Sequence, residues 1–448
     1  MKQKLIRDMT TGSPLKLMLS FAVPMFIGNI FQQLYGVVDA IVVGKFVSQN
    51  ALAAIGAAGP MNYLVLALVI GASTGVSIVI SQYFGAKDDN MVRKTIVTGA
   101  FIIMGASVVM GILGILLSRW FLMLLHTPES IIALSLTYIK ITFIGMIGIA
   151  AYNAIAFILR ALGDSLTPLI FLIIASILNV GLDFLFVIVF SWGVAGVAVA
   201  TVIAQALSAV GCILFARSKL PLLRIPLEEW VPDRKIARQC LRIGLPLALQ
   251  NSFVSVSTMV LQRIINNYGE IAVAAATILG RLEQFVFEPG CSIGVALSAY
   301  TGQNIGAKKD ERIKQGFLVA TKLMVGFSLI ILPLIYLFGE EMIQIFVREK
   351  NSEVVAVTYQ AIRITSIFYF FVGMIFISRN FLSGAGDTRI PMLMGLSEIG
   401  CRIILTTIFS NQLGFAGIWW ATAANWIITS GIGIVWTWSG RWKNRSVV

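Results

Sequence analysis

Long apolar segments, separated by short polar ones, run along the whole 448-residue chain. Only a helix of about 18 residues or more satisfies its own backbone while it crosses a bilayer core of about 30 Å. Breaks at glycine, proline and charged clusters divide the pattern into predicted transmembrane helices, six in each half. The predicted spans are 15–44, 51–81, 95–118, 136–160, 166–190 and 194–216, followed by 239–266, 271–301, 316–338, 359–382, 390–410 and 414–438.

The two halves of this pattern are copies of each other. FAVPMFIGN at 21–29 aligns with IGLPLALQN at 243–251, QYFGAKDDNMVRK from Gln82 with QNIGAKKDERIK from Gln303, and RALGDSLTP from Arg160 with SGAGDTRIP from Ser383. Three matches in order at nearly one spacing indicate an internal duplication. Six spans per copy make both copies enter the membrane from the same side. The predicted fold class is an all-α membrane protein with twelve transmembrane helices in two six-helix lobes, related by a pseudo-twofold axis along the membrane normal.

The composition supports a membrane protein, because 58% of the residues are hydrophobic and only 12% are charged. The net charge of +13 does not indicate a nucleic-acid surface, since 24 of the 34 Lys and Arg residues fall in segments on the same side of the membrane as the N-terminus. Both termini are therefore expected in the cytoplasm. The predicted domains are an N-lobe at 1–217, a proline-containing linker at 218–238 and a C-lobe at 239–448.

Two acids stand inside apolar spans of the first half, Asp39 in LYGVVDAIVVG and Asp183 in NVGLDFLF. A carboxylate at a helix centre costs about 2.5–3.5 kcal/mol on insertion scales, and no Lys or Arg lies near mid-span in this half. Tyr35 lies one helical turn before Asp39, and Asn179 one turn before Asp183. Asp183 and Thr201 are equally far from the outer turn between their helices, at a depth of about 13 Å. These oxygens predict a cluster that suits a hard monovalent cation or proton exchange.

With these motifs the chain resembles the multidrug and toxic compound extrusion (MATE) transporters over essentially its full length. The resemblance rests on the 6+6 repeat, the GAK loop after the second span of each half, the LGDSLTP and AGDTRIP turns after the fourth, and NVGLDFLF followed by SWGVAGVAVAT. It implies export of organic cations and other toxic compounds in exchange for H+ or Na+ across a bacterial or archaeal cell membrane. In prokaryotic members the corresponding residues form the N-lobe cation site, matched here by Asp39, Asn179, Asp183 and Thr201.

Four further residues are predicted to take part. Tyr35 and Asn153 are expected in the same pocket, although Asn153 equally suits a helix-to-helix hydrogen bond. Pro24 removes one backbone hydrogen bond from the first helix and predicts a flex point there. Glu283 suits either attraction of a cationic substrate into a central cavity or a pair with an arginine on a neighbouring helix.

The second copy lacks the acidic cluster. Leu261, Arg402 and Thr406 occupy the positions of Asp39, Asn179 and Asp183 there. The seventh span contains no acid, so sodium coupling in the C-lobe is disfavoured. Glu398 and Arg402 are four residues apart on one helix, and we interpret them as an intrahelical ion pair rather than as transport residues.

The main hypothesis is cation-coupled efflux of cationic or amphipathic small molecules by alternating access, performed by a monomer without a cofactor. A flippase of a lipid-linked saccharide is an alternative, for which a cationic cavity is expected. A membrane-embedded lipid enzyme is a weaker one, because the sequence has no metal-ligand spacing, phosphate-binding glycine loop or nucleophile motif.

Overall fold

The computed structural model describes residues 6–125, 127–347 and 353–446. Within these ranges the first half forms seven α-helices: α1 (Pro14–Phe46), α2 (Gln49–Gly85), α3 (Asp89–Leu124), α4 (Glu129–Ile144), α5 (Met146–Ala161), α6 (Leu166–Asp183) and α7 (Gly193–Lys219). The second half forms another seven: α8 (Arg234–Asn266), α9 (Glu270–Gly306), α10 (Asp310–Gln344), α11 (Glu353–Ser366), α12 (Tyr369–Gly384), α13 (Arg389–Leu413) and α14 (Phe415–Ser439).

The predicted all-α fold class is confirmed. In the described residues, nine single helices are long and apolar enough to cross a membrane, and the count reaches eleven spans when α4–α5 and α11–α12 each form one. The remaining predicted span corresponds to α9, which has 37 residues but carries Arg281, Glu283 and Glu288. Each of the twelve predicted spans therefore coincides with a helix or a helix pair.

Large apolar side chains are exposed along the predicted spans. Leu116 is 71% exposed, Ile177 69% and Leu329 68%. A water-soluble protein rarely leaves so much contiguous apolar surface uncovered. A lipid environment accounts for it, because acyl chains are as apolar as leucine.

The fourth and tenth spans are broken, which the hydrophobic pattern alone does not predict. α4 and α5 meet at Gly145 with a bend of 50°, and α11 and α12 meet with a bend of 54°. The backbone tightens at both breaks, where the amide of Gly148 bonds to the carbonyl of Gly145 and that of Phe371 to that of Phe368. A Cβ atom on Gly145 would approach the Val202 side chain to 2.3 Å, so only glycine fits against α7 there.

The clearest difference between the two copies lies in the fifth span of each. α6 continues into a π-helical turn, Phe184–Val189. The corresponding part of the second copy lies inside the regular helix α13. Short π-helical segments inserted in α-helices occur frequently at functional sites. This turn directly follows Asp183.

The inner turn before α6 is fixed by a buried carboxylate. Gly163 has φ +87°, a conformation that glycine adopts without strain. Asp164 accepts hydrogen bonds from the amides of Leu166 and Thr167, both at 3.0 Å, and from the Thr167 hydroxyl at 2.6 Å. These bonds satisfy donors at the start of α6, the helix that carries Asn179 and Asp183.

The chain divides into two compact units. The first is built on Val23–Ala248, and the second on Met9–Ala22 together with the chain from Leu249 onward. α1 passes from the second unit into the first beside Pro24, and α8 passes from the first into the second close to Pro246. The predicted lobes at 1–217 and 239–448 follow the duplication instead, and their boundaries stay a prediction.

Candidate ion-binding site

Residues from α1, α6 and α7 meet inside the first unit. The Asn179 amide donates from Nδ2 to Oγ1 of Thr201 at 3.3 Å, and that hydroxyl donates to the Val197 carbonyl at 3.0 Å. The carboxyl groups of Asp39 and Asp183 are close enough to interact with each other. The structure thus brings together the four residues that the sequence predicts as a cation site.

Four oxygen atoms of this cluster are buried and lack a hydrogen-bond donor among the described residues. Asp183 is 0% exposed and Asn179 3%. In the described part of the chain, both carboxylate oxygens of Asp183, Oδ1 of Asp39 and Oδ1 of Asn179 are buried without a hydrogen-bond partner. A buried charge is costly unless it is paired or hydrogen-bonded. Two adjacent carboxylates without donors therefore require a proton shared between them or a bound cation.

The donor set fits either ion. Na+ is a hard cation and takes oxygen ligands from carboxylates, amides and hydroxyls, by the same preference that governs other hard cations. A proton needs only the two carboxyl groups, because one of them then donates to the other. The described residues hold no cluster of His, Cys, Asp and Glu that would bind a transition metal.

A small cavity adjoins the cluster and has room for about one water-sized sphere. Its lining consists of Tyr35, Ala175, Ser176, Asn179, Thr201, Ala204 and Gln205. Tyr35 therefore joins the pocket, as the sequence suggests, and it lies close enough to Asp39 and Asp183 to interact with their charges.

Two polar residues of this region were not predicted from the sequence. Gln205 lines the cavity, and its Oε1 is buried without a hydrogen-bond partner among the described residues. The sequence could have indicated Gln205, because its amide lies one helical turn after Thr201 in the largely apolar run TVIAQALSA. Tyr138 on α4 lies within electrostatic range of Tyr35 and of both acids. Nothing in its local sequence distinguishes it from a tyrosine at the membrane interface.

The other predicted residues are not among those that line this cavity. Asn153 donates from Nδ2 to the Ile149 carbonyl of its own helix at 2.9 Å. Glu283 belongs to the second unit, where it accepts a hydrogen bond from the Tyr369 hydroxyl at 3.2 Å. Pro24 lies within α1, fifteen residues before Asp39.

The expected ion pair between Glu398 and Arg402 does not form. Glu398 instead pairs with Arg379 of α12 at 3.2 Å. Arg402 donates to the hydroxyls of Ser257 at 3.3 Å and Thr422 at 2.9 Å. Helical spacing makes an i,i+4 contact available, but here partners on α8, α12 and α14 take its place.

Comparison with known proteins gives matches along the whole chain. The family model described as MatE matches twice, at residues 24–185 and 246–408, which confirms the duplication. "Probable multidrug resistance protein YpnP" of Bacillus subtilis (strain 168) is 30% identical over 439 residues, 97% of either chain. "Probable multidrug resistance protein NorM" of Thermotoga maritima is 25% identical, over 97% of this chain and 94% of that one.

The fold is also that of solved transporters. "Crystal structure of MATE in the bent conformation" superimposes with a TM-score of 0.89 at 22% identity, covering 98% of this chain and 97% of that one. At this identity the likeness concerns the fold. It agrees with the twelve-span, two-lobe architecture expected from the sequence.

Proposed function

The chain belongs to the MatE family of membrane transporters, and from this premise we propose that it exports drugs or toxic metabolites in exchange for H+ or Na+. Members of this family are transporters and not enzymes, and the multidrug relatives do not favour the saccharide flippase. The proposed substrates are cationic or amphipathic small molecules. The proposed location is a bacterial or archaeal cell membrane, with both termini in the cytoplasm.

The observation that carries the proposal is the pair formed by the half-buried Asp39 and the fully buried Asp183. Both oxygens of Asp183 and Oδ1 of Asp39 are buried without a donor in the described part of the chain, and the two carboxyl groups interact, so a proton or bound cation stabilises the pair. A site that must be loaded in one state and emptied in another suits ion exchange. One charge moving down 100 mV supplies about 2.3 kcal/mol, enough for a gradient of about fifty-fold in a neutral substrate.

α1 supplies the connection between the ion and the conformational change. Asp39 lies on the part of α1 that belongs to the first unit, and the helix leaves that unit beside Pro24. Proline removes one backbone hydrogen bond, so the helix bends most easily there. Loading the acid pair draws Asp39 toward Asp183, and α1 responds by bending at Pro24, which releases substrate outward in an alternating-access cycle.

The experiment follows extrusion of ethidium, a fluorescent organic cation, in everted membrane vesicles. Asp39→Asn and Asp183→Asn each remove one charge with little change in volume. We expect both to abolish extrusion driven by a pH or Na+ gradient. Glu341→Gln, at the exposed end of α10, is the matched control and is expected to behave like the wild type. Gradient-driven extrusion that persists in both aspartate variants contradicts the assignment.

A further inference from the structure

The duplication places a second copy of the candidate ion site in the second unit. GVAGVAVAT at 193–201 aligns with GFAGIWWAT at 414–422, so Thr422 stands at the position of Thr201. The residue at the Asn179 position is Arg402, and the residue at the Asp183 position is Thr406. α13 and α14 pack together in the second unit as α6 and α7 do in the first.

Both copies make the same hydrogen bond. Asn179 donates to the Thr201 hydroxyl at 3.3 Å, and Arg402 donates from Nη1 to the Thr422 hydroxyl at 2.9 Å. Each threonine in turn donates to the carbonyl four residues earlier on its helix. The Thr406 hydroxyl is buried without a hydrogen-bond partner in the described residues, as are the oxygens of Asp183. The guanidinium therefore occupies the place that the amide of the ion site has in the first copy.

Arg402 is only 5% exposed, and its hydrogen-bond partners are neutral. Its second hydrogen bond goes from Nε to the Ser257 hydroxyl at 3.3 Å. Hydroxyl groups satisfy donors but do not balance the charge of a buried guanidinium. An acid must therefore lie nearby.

Two acids act electrostatically on Arg402, Glu398 on its own helix and Glu283 on α9, and the Cys401 thiol is its neighbour in sequence. Glu398 is held by Arg379 at 3.2 Å. Glu283 accepts a hydrogen bond from the Tyr369 hydroxyl and forms no ion pair within the described chain. The charge of Glu283 is thus the one that Arg402 is left to balance.

The charges of the two copies add up differently. In the described part of the first unit, Asp39 and Asp183 are two adjacent acids without a basic partner. Around Arg402 in the second unit, the two acids Glu283 and Glu398 are matched by the two bases Arg402 and Arg379. The first copy therefore depends on a mobile cation to offset its negative charge, whereas the charges around Arg402 balance without one.

We propose that Arg402 is a built-in cation, which fills the second copy of the ion site permanently and leaves the first copy as the exchanging one. This inference rests on the proposed function, in which the first copy binds the coupling ion. It makes Arg402 a positioning residue: it sets how many ions the molecule exchanges by keeping Glu283 neutralised.

The test counts cations bound by the purified full-length protein. Protons are counted by titration between about pH 5 and 9, and sodium by equilibrium binding of radioactive Na+. Arg402→Gln removes the charge and keeps a hydrogen-bonding side chain, and we expect it to bind one H+ or Na+ more per molecule than the wild type. Arg402→Lys keeps the charge, and Arg402→Gln combined with Glu283→Gln removes both charges. These two controls are expected to bind as many cations as the wild type.

An Arg402→Gln variant that binds the same number of cations as the wild type overturns the proposal. If that variant does not fold, the two controls decide. If both control variants fold and bind as many cations as the wild type, the role of Arg402 is to balance charge. If either control fails to fold, the proposal is overturned. Asp183→Asn tests the first copy separately, because loss of one bound cation there supports the proposed function whatever Arg402 does, and an unchanged count rejects that function.

Discussion

At the scale of single residues, the buried Asp164 and Asp183 and the half-buried Asp39 show how neighbouring groups decide the role of a carboxylate. Asp164 is 3% exposed, yet two amides and a hydroxyl donate to it. Asp39 and Asp183 interact with each other, and three of their four carboxylate oxygens are buried without a donor among the described residues. The first arrangement stabilises a turn, because the buried acceptor is satisfied. The Asp39–Asp183 pair leaves acceptors unsatisfied, so a bound proton or cation stabilises it.

Asp164→Ala is expected to lower the free energy of unfolding by about 1–2 kcal/mol, because donors at the start of α6 lose their acceptor. Thermal unfolding in detergent measures the change. Asp88→Ala is the matched control, since Asp88 caps α3 through one exposed hydrogen bond to the Met91 amide. Its effect should be the smaller of the two. Equal effects would show that the buried bonds of Asp164 add nothing to a surface cap.

Asp183→Asn is expected to have the opposite effect on stability. At alkaline pH without Na+, the two carboxylates repel each other, and an amide at residue 183 would instead donate to Asp39. Under those conditions we expect the free energy of unfolding of this variant to exceed that of the wild type by about 1–3 kcal/mol, and its unfolding temperature to be higher. At acidic pH this difference should disappear. A variant less stable than the wild type at every pH contradicts the account of the pair.

At the scale of helices, α1 passes from one unit into the other beside Pro24. Pro24→Ala restores a backbone hydrogen bond and stiffens the helix at the point where it changes units. Transport of ethidium is expected to slow several-fold while cation binding is kept. Pro60→Ala is the matched control, because Pro60 also lies inside a helix, α2, but within one unit. Equal slowing by the two substitutions would remove the special role of Pro24.

The sequence predicted the spans well, and the interruptions within them less well. Twelve apolar segments and their duplication follow from the hydrophobic pattern, because the bilayer sets a minimum helix length. The break between α11 and α12 lies in TSIFYF, where neither glycine nor proline marks it. The π-helical turn after Asp183 likewise lies in the uniform run FLFVIV. Such interruptions depend on packing between helices, which a periodic pattern does not contain.

At the candidate site too, the sequence reveals unusual residues but not the tertiary contacts they make. Acids in an apolar span are conspicuous, so Asp39 and Asp183 could be found from the sequence alone. The partner of Glu398 could not, because Arg379 is nineteen residues away on α12 and only the tertiary fold brings it to 3.2 Å. Arg402 was equally visible as a charge, but its partners on α8 and α14 were not.

At the scale of the whole molecule, the predicted topology places both termini on the cytoplasmic side. In a background without the four native cysteines, Asn267→Cys after α8 and Lys308→Cys after α9 add single thiols at exposed positions. A membrane-impermeant maleimide should label Asn267→Cys and spare Lys308→Cys in intact cells, and label Lys308→Cys in everted vesicles. The reverse pattern would contradict the topology.

The central claim is that the duplicated molecule exchanges its coupling ion at the acid pair of the first copy. Counting the H+ and Na+ bound per purified molecule, in the wild type and in the double variant Asp39→Asn/Asp183→Asn, tests it most directly. The account predicts that the wild type binds one exchangeable cation more than the double variant does. Equal cation binding by the two proteins would contradict it.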